Sequence, residues 1–234
     1  MLQQLAFYSI LISIIVYILN KIAKTSKFQL IGDYVTHVKT QEKAIALTYD
    51  DGPSPIYTNQ LLTLLERLQV KATFFVIGKN IEQYTDTVRL IITKGHELGN
   101  HSYSHQQLVL KKPSFIREEI EKTEQILHQL GVNQEIHFRA PFGFKLFILP
   151  YILSNMGKKN IMWDVDPKDY ASSDPDLIEN YIIEHIKPGS IILLHDGGSD
   201  RSATVAATER IIPKLRNKGY KFKTISELLL LDDS

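Results

Sequence analysis

Two adjacent acids, Asp50 and Asp51, follow the apolar, β-favouring run Ala44-Ile45-Ala46-Leu47-Thr48-Tyr49 and precede Gly52-Pro53. The pattern reads as a buried strand that delivers two carboxylates to its C-terminal end just before a turn. Side chains alternate along an extended segment, so the two acids face different ways, and one can bind while the other does something else. A second cluster is His101-Ser102-Tyr103-Ser104-His105, directly after the short segment Glu97 to Asn100. A helical turn there would put both imidazoles on one face through their i, i+4 spacing, close enough for two nitrogens to take one metal ion. With one carboxylate they make three protein ligands and leave a position for water, the arrangement of a catalytic zinc site rather than a structural one. The same donors suit cobalt, nickel, manganese or iron. His37, His96, His128, His137 and His185 have no such neighbours and read as surface or packing residues.

Three further segments carry polar groups at the ends of apolar runs. In Arg139-Ala140-Pro141-Phe142-Gly143 a guanidinium beside carboxylates could hold one acid ionised and oriented, or could be a surface arginine before a proline turn. Trp163-Asp164-Val165-Asp166-Pro167-Lys168-Asp169-Tyr170 gathers three acids and two aromatics in a strand end and loop. Ser190 to Leu194 is an apolar run that ends in His195-Asp196, where a proton donor or acceptor would face the same mouth.

The elements that must position these groups alternate. Strand candidates are Ala44 to Tyr49, Ala72 to Ile77, Glu97 to Asn100, Ile136 to Arg139, Ile161 to Val165, Ser190 to Leu194 and Lys221 to Thr224. Amphipathic helix candidates lie between them: Ile56 to Leu68, Ile81 to Thr93, Ser114 to Leu130, Leu146 to Asn155, Leu177 to Ile186 and Ala203 to Asn217. This alternation predicts an α/β fold with a parallel sheet covered by helices; about seven strands fit an incomplete (β/α) barrel better than an eightfold one, with an open doubly wound sheet as the alternative. In either architecture chemistry sits at the C-terminal ends of the strands.

A chain of 234 residues is long enough for one such domain, expected over residues 43–232 behind a linker at 25–42. Lys and Arg number 27 against 26 Asp and Glu, with no block of like charge, so electrostatic capture of nucleic acid is not expected. Cysteine is absent, which excludes disulfides, thiolate metal sites and a cysteine nucleophile. Residues 1–20 carry no charged side chain and are about long enough to span a bilayer as a helix. No cation precedes the apolar run and no cleavage site is clear, so residues 1–24 are expected to be an uncleaved, single-pass membrane anchor. Lys21, Lys24 and Lys27 follow the run, and by the positive-inside tendency they would keep the rest of the chain cytoplasmic.

Taken in order, Thr48 to Ser54, His101 to His105, Arg139 to Gly143, Asp166 to Tyr170 and Leu193 to Asp196 resemble the five motifs of the polysaccharide deacetylase (NodB homology) family, carbohydrate esterase family 4. The resemblance spans roughly Lys43 to Leu230 and implies a distorted, incomplete (β/α) barrel. It implies removal of acetyl groups from N-acetylated sugars of a glycan such as peptidoglycan or a chitin-like polymer, with O-deacetylation, small-amide hydrolysis or glycan binding as alternatives. It also implies a divalent metal, usually zinc, on Asp51, His101 and His105, with Asp50 as general base and Arg139 orienting it. The backbone N–H of Phe142 would meet the oxyanion, and His195 would protonate the departing amine with Asp166 favouring its charged form. Leu193, Tyr170 and Trp163 would form the acetyl slot. Tyr49 stands where phenylalanine is commoner and Tyr170 where tryptophan is frequent, and Asp164, Asp166 and Asp169 compete for the role beside His195. An acetylated glycan substrate implies an extracytoplasmic domain, against the direction of the lysines.

Overall fold

The computed structural model of the chain describes residues 2–24 and 32–233. Helix α1 is Leu2–Lys24, followed by β1 (Tyr34–Val35), β2 (Ala44–Asp50), α2 (Tyr57–Arg67) and β3 (Thr73–Val76). Next come α3 (Gly78–Gln83), α4 (Thr85–Thr93), β4 (Glu97–Asn100), α5 (Pro113–Gln129), α6 (Ile148–Asn155) and β5 (Asn160–Ile161). The chain ends with α7 (Pro175–His185), β6 (Ile191–His195), α8 (Ser202–Asn217), β7 (Lys221–Lys223) and α9 (Ile225–Leu229).

Strand β2 is buried along its whole length and organises the sheet. It pairs in parallel with β3 and β7 on one side and β6 on the other, and β4 extends the sheet beyond β3. From β4 the ring continues through single bridges, Asn100 to Phe138, Phe138 to Asn160, and Val165 back to Ile192 of β6. The result is an irregular (β/α) barrel whose seven strands, among the described residues, pair in parallel. The period-two alternation of β2 sends Ile45, Leu47 and Tyr49 outward into the helix-facing core. Ala44 and Ala46 face the barrel interior with Phe75, Ile161 and Ile191, and Thr48 and Asp50 continue that face to the C-terminal mouth.

The opposite mouth is closed. Glu97 at the start of β4 accepts from Thr73 Oγ1 (2.6 Å), from the Ser226 backbone N–H (3.2 Å) and from the Ser226 hydroxyl. Thr224 and Glu227 cap α9 reciprocally, and Ile225 and Leu228 fill the barrel floor. The acids sit at the other mouth, over the C-terminal strand ends.

Several expectations change. Phe138 makes single bridges rather than a strand over 136–139, and regular pairing of the next segment stops at Ile161. The carbonyls of Ile161 and Met162 accept from the Arg139 side chain, which takes the Met162 carbonyl out of any ladder. The helix expected over 81–93 breaks at Tyr84 into α3 and α4. Of the expected linker, residues 25–31 lie outside the described residues, while Tyr34 and Val35 pair with Asn160 and Ile161 as part of the fold. Residues Leu2–Lys24 are helical, and every side chain from Phe7 to Ile18 is exposed. Among the described residues no helix is long and apolar enough to cross a membrane, which does not support the expected anchor.

Candidate active site

The register of the central strands sets the site. Asp50 and His195 are the last residues of β2 and β6, stand opposite each other in the ladder, and both face the barrel mouth. Asp51, one residue on, takes a left-handed conformation (φ 73°) that swings its carboxylate across the same opening. The loop after β4 then brings two imidazoles to it. His105 Nε2 lies 3.0 Å and His101 Nε2 3.5 Å from Asp51 Oδ1. These residues are not on a helix: Ser102 (φ 66°) and His105 (φ 56°) turn the chain through left-handed conformations instead. The two imidazoles converge through these turns and not through the i, i+4 spacing of a helix.

One donor atom each from Asp51, His101 and His105 lies within 4.8 Å of the others. The His101 ring N–H at Nδ1 donates to the Arg139 carbonyl (2.9 Å), which leaves the Nε2 lone pair directed at the cluster, the tautomer a metal ligand needs. Two imidazoles, one carboxylate and open solvent on the fourth side fit a catalytic divalent ion. Burial works against ionisation of Asp51, but whenever the two imidazoles carry a second proton in place of an ion, their hydrogen bonds and charge hold its carboxyl far below the usual range.

Asp50 is 3 % exposed and is held from below. Arg139, fully buried, donates through Nη1 to Asp50 Oδ1 and to Thr48 Oγ1 (both 2.7 Å), through Nε to the Ile161 carbonyl (2.9 Å) and through Nη2 to the Met162 carbonyl (3.1 Å). Its plane lies 4.0 Å from the Phe75 ring. Desolvation lowers the Arg139 pKa, while the charge and hydrogen bond of Asp50 oppose that. Asp50 Oδ2 stays 3.7 Å from His101 Nε2, beside the cluster with its second oxygen toward the cleft.

The partner of His195 is Asp169, not Asp166. The chain turns at Lys168 (φ 55°) into the short 3-10 turn Asp169–Ala171, which points Asp169 inward. Its Oδ1 accepts from His195 Nδ1 (2.7 Å), and its Oδ2 accepts from the His195 backbone N–H and from Thr204 Oγ1 (both 2.8 Å). Burial depresses the His195 pKa, but the bond to Asp169 and the charges of Asp169, Asp50 and Asp51 more than compensate and raise it. Asp166 lines the cleft, accepts from the Lys168 N–H (3.0 Å), and has its pKa raised by burial. Asp164 is spent on Ser190 Oγ (3.0 Å) and the Ile191 N–H (2.9 Å) at the start of β6.

Asp50, Asp51, His101, His105, Phe142, Trp163, Asp166, Tyr170, Leu193 and His195 line one cleft of about 380 Å³, while Arg139, Asp164 and Asp169 stand behind it. Leu193 and Trp163 form its apolar side, Tyr170 meets His195 edge-on at 5.3 Å, and the exposed Phe142 ring (φ 58°) lies 4.6 Å from His105. Supporting residues went unread in the sequence. Glu119 of α5 accepts from Ser104 N (2.8 Å) and Ser104 Oγ (2.7 Å), Asn100 Oδ1 accepts from Ser102 N (2.8 Å), and Asn80 donates to the Asp51 carbonyl (2.9 Å). Glu119 had a signal: it occupies the apolar stripe Ile116, Ile120, Thr123, Leu127, where a charge needs a partner. Asp196 is fully buried under Gly52, accepts from Thr58 Oγ1 (2.5 Å), and burial pushes its carboxyl up to about 7.

Residues 37–161 match the polysaccharide deacetylase family. A peptidoglycan-N-acetylglucosamine deacetylase of Bacillus cereus is 38% identical over 199 residues, covering 84% of this chain and 93% of its own. A chitooligosaccharide deacetylase of Sinorhizobium fredii is 31% identical over 80% of this chain and 93% of its own. The crystal structure of the Bc1960 peptidoglycan N-acetylglucosamine deacetylase in complex with 4-naphthalen-1-yl-N-oxidanyl-benzamide superposes with a TM-score of 0.82 at 33% identity, over 86% of this chain and 94% of that one. Matched in sequence, in fold and over nearly the full length of named relatives, this chain belongs to the polysaccharide deacetylase family of carbohydrate esterase family 4, hydrolases of carbon–nitrogen bonds in acetyl amides.

Proposed function

We propose that this chain removes acetyl groups from N-acetylglucosamine units of a glycan, peptidoglycan or a chitin-like polymer, with a divalent metal, most suitably zinc, held by Asp51, His101 and His105. The observation that carries the reading is the shared mouth: a base fixed by a buried arginine, a histidine fixed by a buried acid, and a three-donor cluster between them. The relatives' names supply the substrate class. The N-oxidanyl amide on the solved neighbour adds support, because its two adjacent oxygens are a metal-chelating pair. Peptidoglycan lies outside the cytoplasm, so the same reading puts the catalytic domain there.

When bound, the metal would supply Lewis acidity toward the acetyl carbonyl and acidify a coordinated water. Asp50 is placed to accept the proton of the attacking water through the oxygen that Arg139 does not hold. Arg139 acts as a positioning residue, since its four hydrogen bonds leave Asp50 no freedom to swing away. The Phe142 N–H would donate to the oxygen that gains charge as the carbonyl carbon becomes tetrahedral. Collapse of that centre breaks the C–N bond, and His195 gives its proton to the departing nitrogen so that it leaves as an amine. Asp169 keeps that proton available. Leu193, Trp163 and Tyr170 exclude water from around the acetyl methyl.

Incubation with N-acetylglucosamine oligomers should release acetate and free amine in equal amounts. Asp50→Asn keeps the three metal donors and removes the base, so turnover should fall by about 10² to 10⁴ with metal content unchanged. Acetate released without amine would assign O-deacetylation instead, and full turnover in Asp50→Asn would remove the proposed base.

A further inference from the structure

Beside the catalytic cleft, and sharing Tyr170 with it, lies a second cavity of about 260 Å³. Asp169, Tyr170 and Ser172 form one wall, and Asp200, Arg201 and Ser202, where α8 begins, form the other. Arg201 is only 5 % exposed. Its Nε donates to the Gly197 carbonyl (2.7 Å), but among the described residues its two terminal nitrogens have no hydrogen-bond partner and no ion pair. Both acids of the cavity have hydrogen-bond partners of their own, although Asp200 also feels the charge of Arg201. Asp169 serves His195 and Thr204, and Asp200 accepts from the Tyr57 hydroxyl and the Ser202 N–H (both 2.9 Å).

The side chain is buried along its length while the residue lines the cavity, so a ligand there can engage donors that no protein group takes. The N-terminus of the 16-residue α8 adds positive potential at the same place. We propose that the cavity is a subsite for a carboxylate carried on the sugar adjoining the N-acetylated one, with Arg201 as its bidentate partner. The proposal rests on the reading that the cleft holds an N-acetylated unit of a glycan, and it narrows that substrate to chains with acidic units. Tyr170, half exposed, stands between the two cavities and offers its ring to the sugars on either side of the cleavage site. A planar monoanion matches the guanidinium fork, and with Asp169 and Asp200 in the walls it meets less repulsion than a dianionic phosphate would.

The test uses the full chain and three tetrasaccharides of equal length. One contains N-acetylglucosamine alone, one carries an ether-linked carboxylate on alternate units, and the third is the second with each carboxylate converted to an amide. The expected KM for the carboxylate form is about tenfold below that for the amide form, the worth of one charge-assisted pair. Arg201→Gln should bring that ratio close to one. Ser202→Asp should do the same by offering Arg201 a resident carboxylate from an exposed position where an acid suits the helix start, so the outcome does not depend on Arg201→Gln folding. Equal KM values in the unaltered protein, or an unchanged ratio in Ser202→Asp, would overturn the subsite while leaving deacetylation intact. Absence of acetate release from all three oligomers would overturn the deacetylase reading and the subsite with it.

Discussion

Asp51, Ser102, His105 and Phe142 hold φ between 56° and 73°, a region that disfavours residues with a side chain, and all four belong to the site or its supporting loop. Conformations of this kind persist only where the surroundings over-determine them, as Asn100, Glu119 and Asn80 do here through bonds to neighbouring backbone. The pairing of His195 with Asp169 gives the sharpest test at this scale. Because His195 must be protonated to release the amine and its pKa is raised, the rate should fall only as pH climbs through that raised value. Asp169→Asn removes the charge that holds the proton, so the alkaline limb of the pH–rate profile should move to lower pH. An unmoved limb would mean that Asp169 does not set the titration. Asp50, Asp51 and His195 were legible as polar residues at the ends of apolar runs. The choice of Asp169 over Asp166 was not, because it depends on the left-handed Lys168 between them, which no local pattern marks.

At the scale of elements, the site is a product of register. One residue of slip between β2 and β6 would turn Asp50 or His195 into the helix layer, and the apolar faces of both strands prevent it. The loop over residues 101–105 has no such ladder and depends on α5, whose Glu119 accepts two hydrogen bonds from Ser104. Glu119→Ala should therefore weaken metal binding about tenfold, the usual effect of losing a supporting bond behind a metal ligand, with Asp50 and Arg139 untouched. Isothermal titration of stripped protein measures it, and an unchanged dissociation constant would assign Glu119 to packing alone. The alternation of apolar and polar segments made most helices and the central strands readable. It misread 161–165, where the Ile161 and Met162 carbonyls are given to the Arg139 side chain, and 136–139, where Phe138 makes only single bridges to its neighbours.

For the whole molecule, the barrel has a plugged floor and a polar mouth, and its stability should respond to pH through a histidine outside the site. His96 Nδ1 accepts the Ala72 N–H (3.2 Å) in an apolar setting against Phe74. Burial, reinforced by the charges of Lys71 and Lys94, pushes its pKa from 6.5 down to about 4. The unfolded chain therefore takes the proton first, so stability is complete above about pH 6.5 and falls as pH drops toward about 4. Urea midpoints for the unaltered protein and His96→Gln should converge as pH is lowered through that window; parallel midpoints would contradict the assignment.

Acetate release should depend on one ion held by Asp51, His101 and His105. Chelator-stripped protein should be titrated with zinc while acetate release from N-acetylglucosamine oligomers is followed. We expect activity to rise to a single equivalent of metal and then level off, with His101→Ala abolishing both the binding and the rise. Full acetate release by the stripped protein would contradict the account.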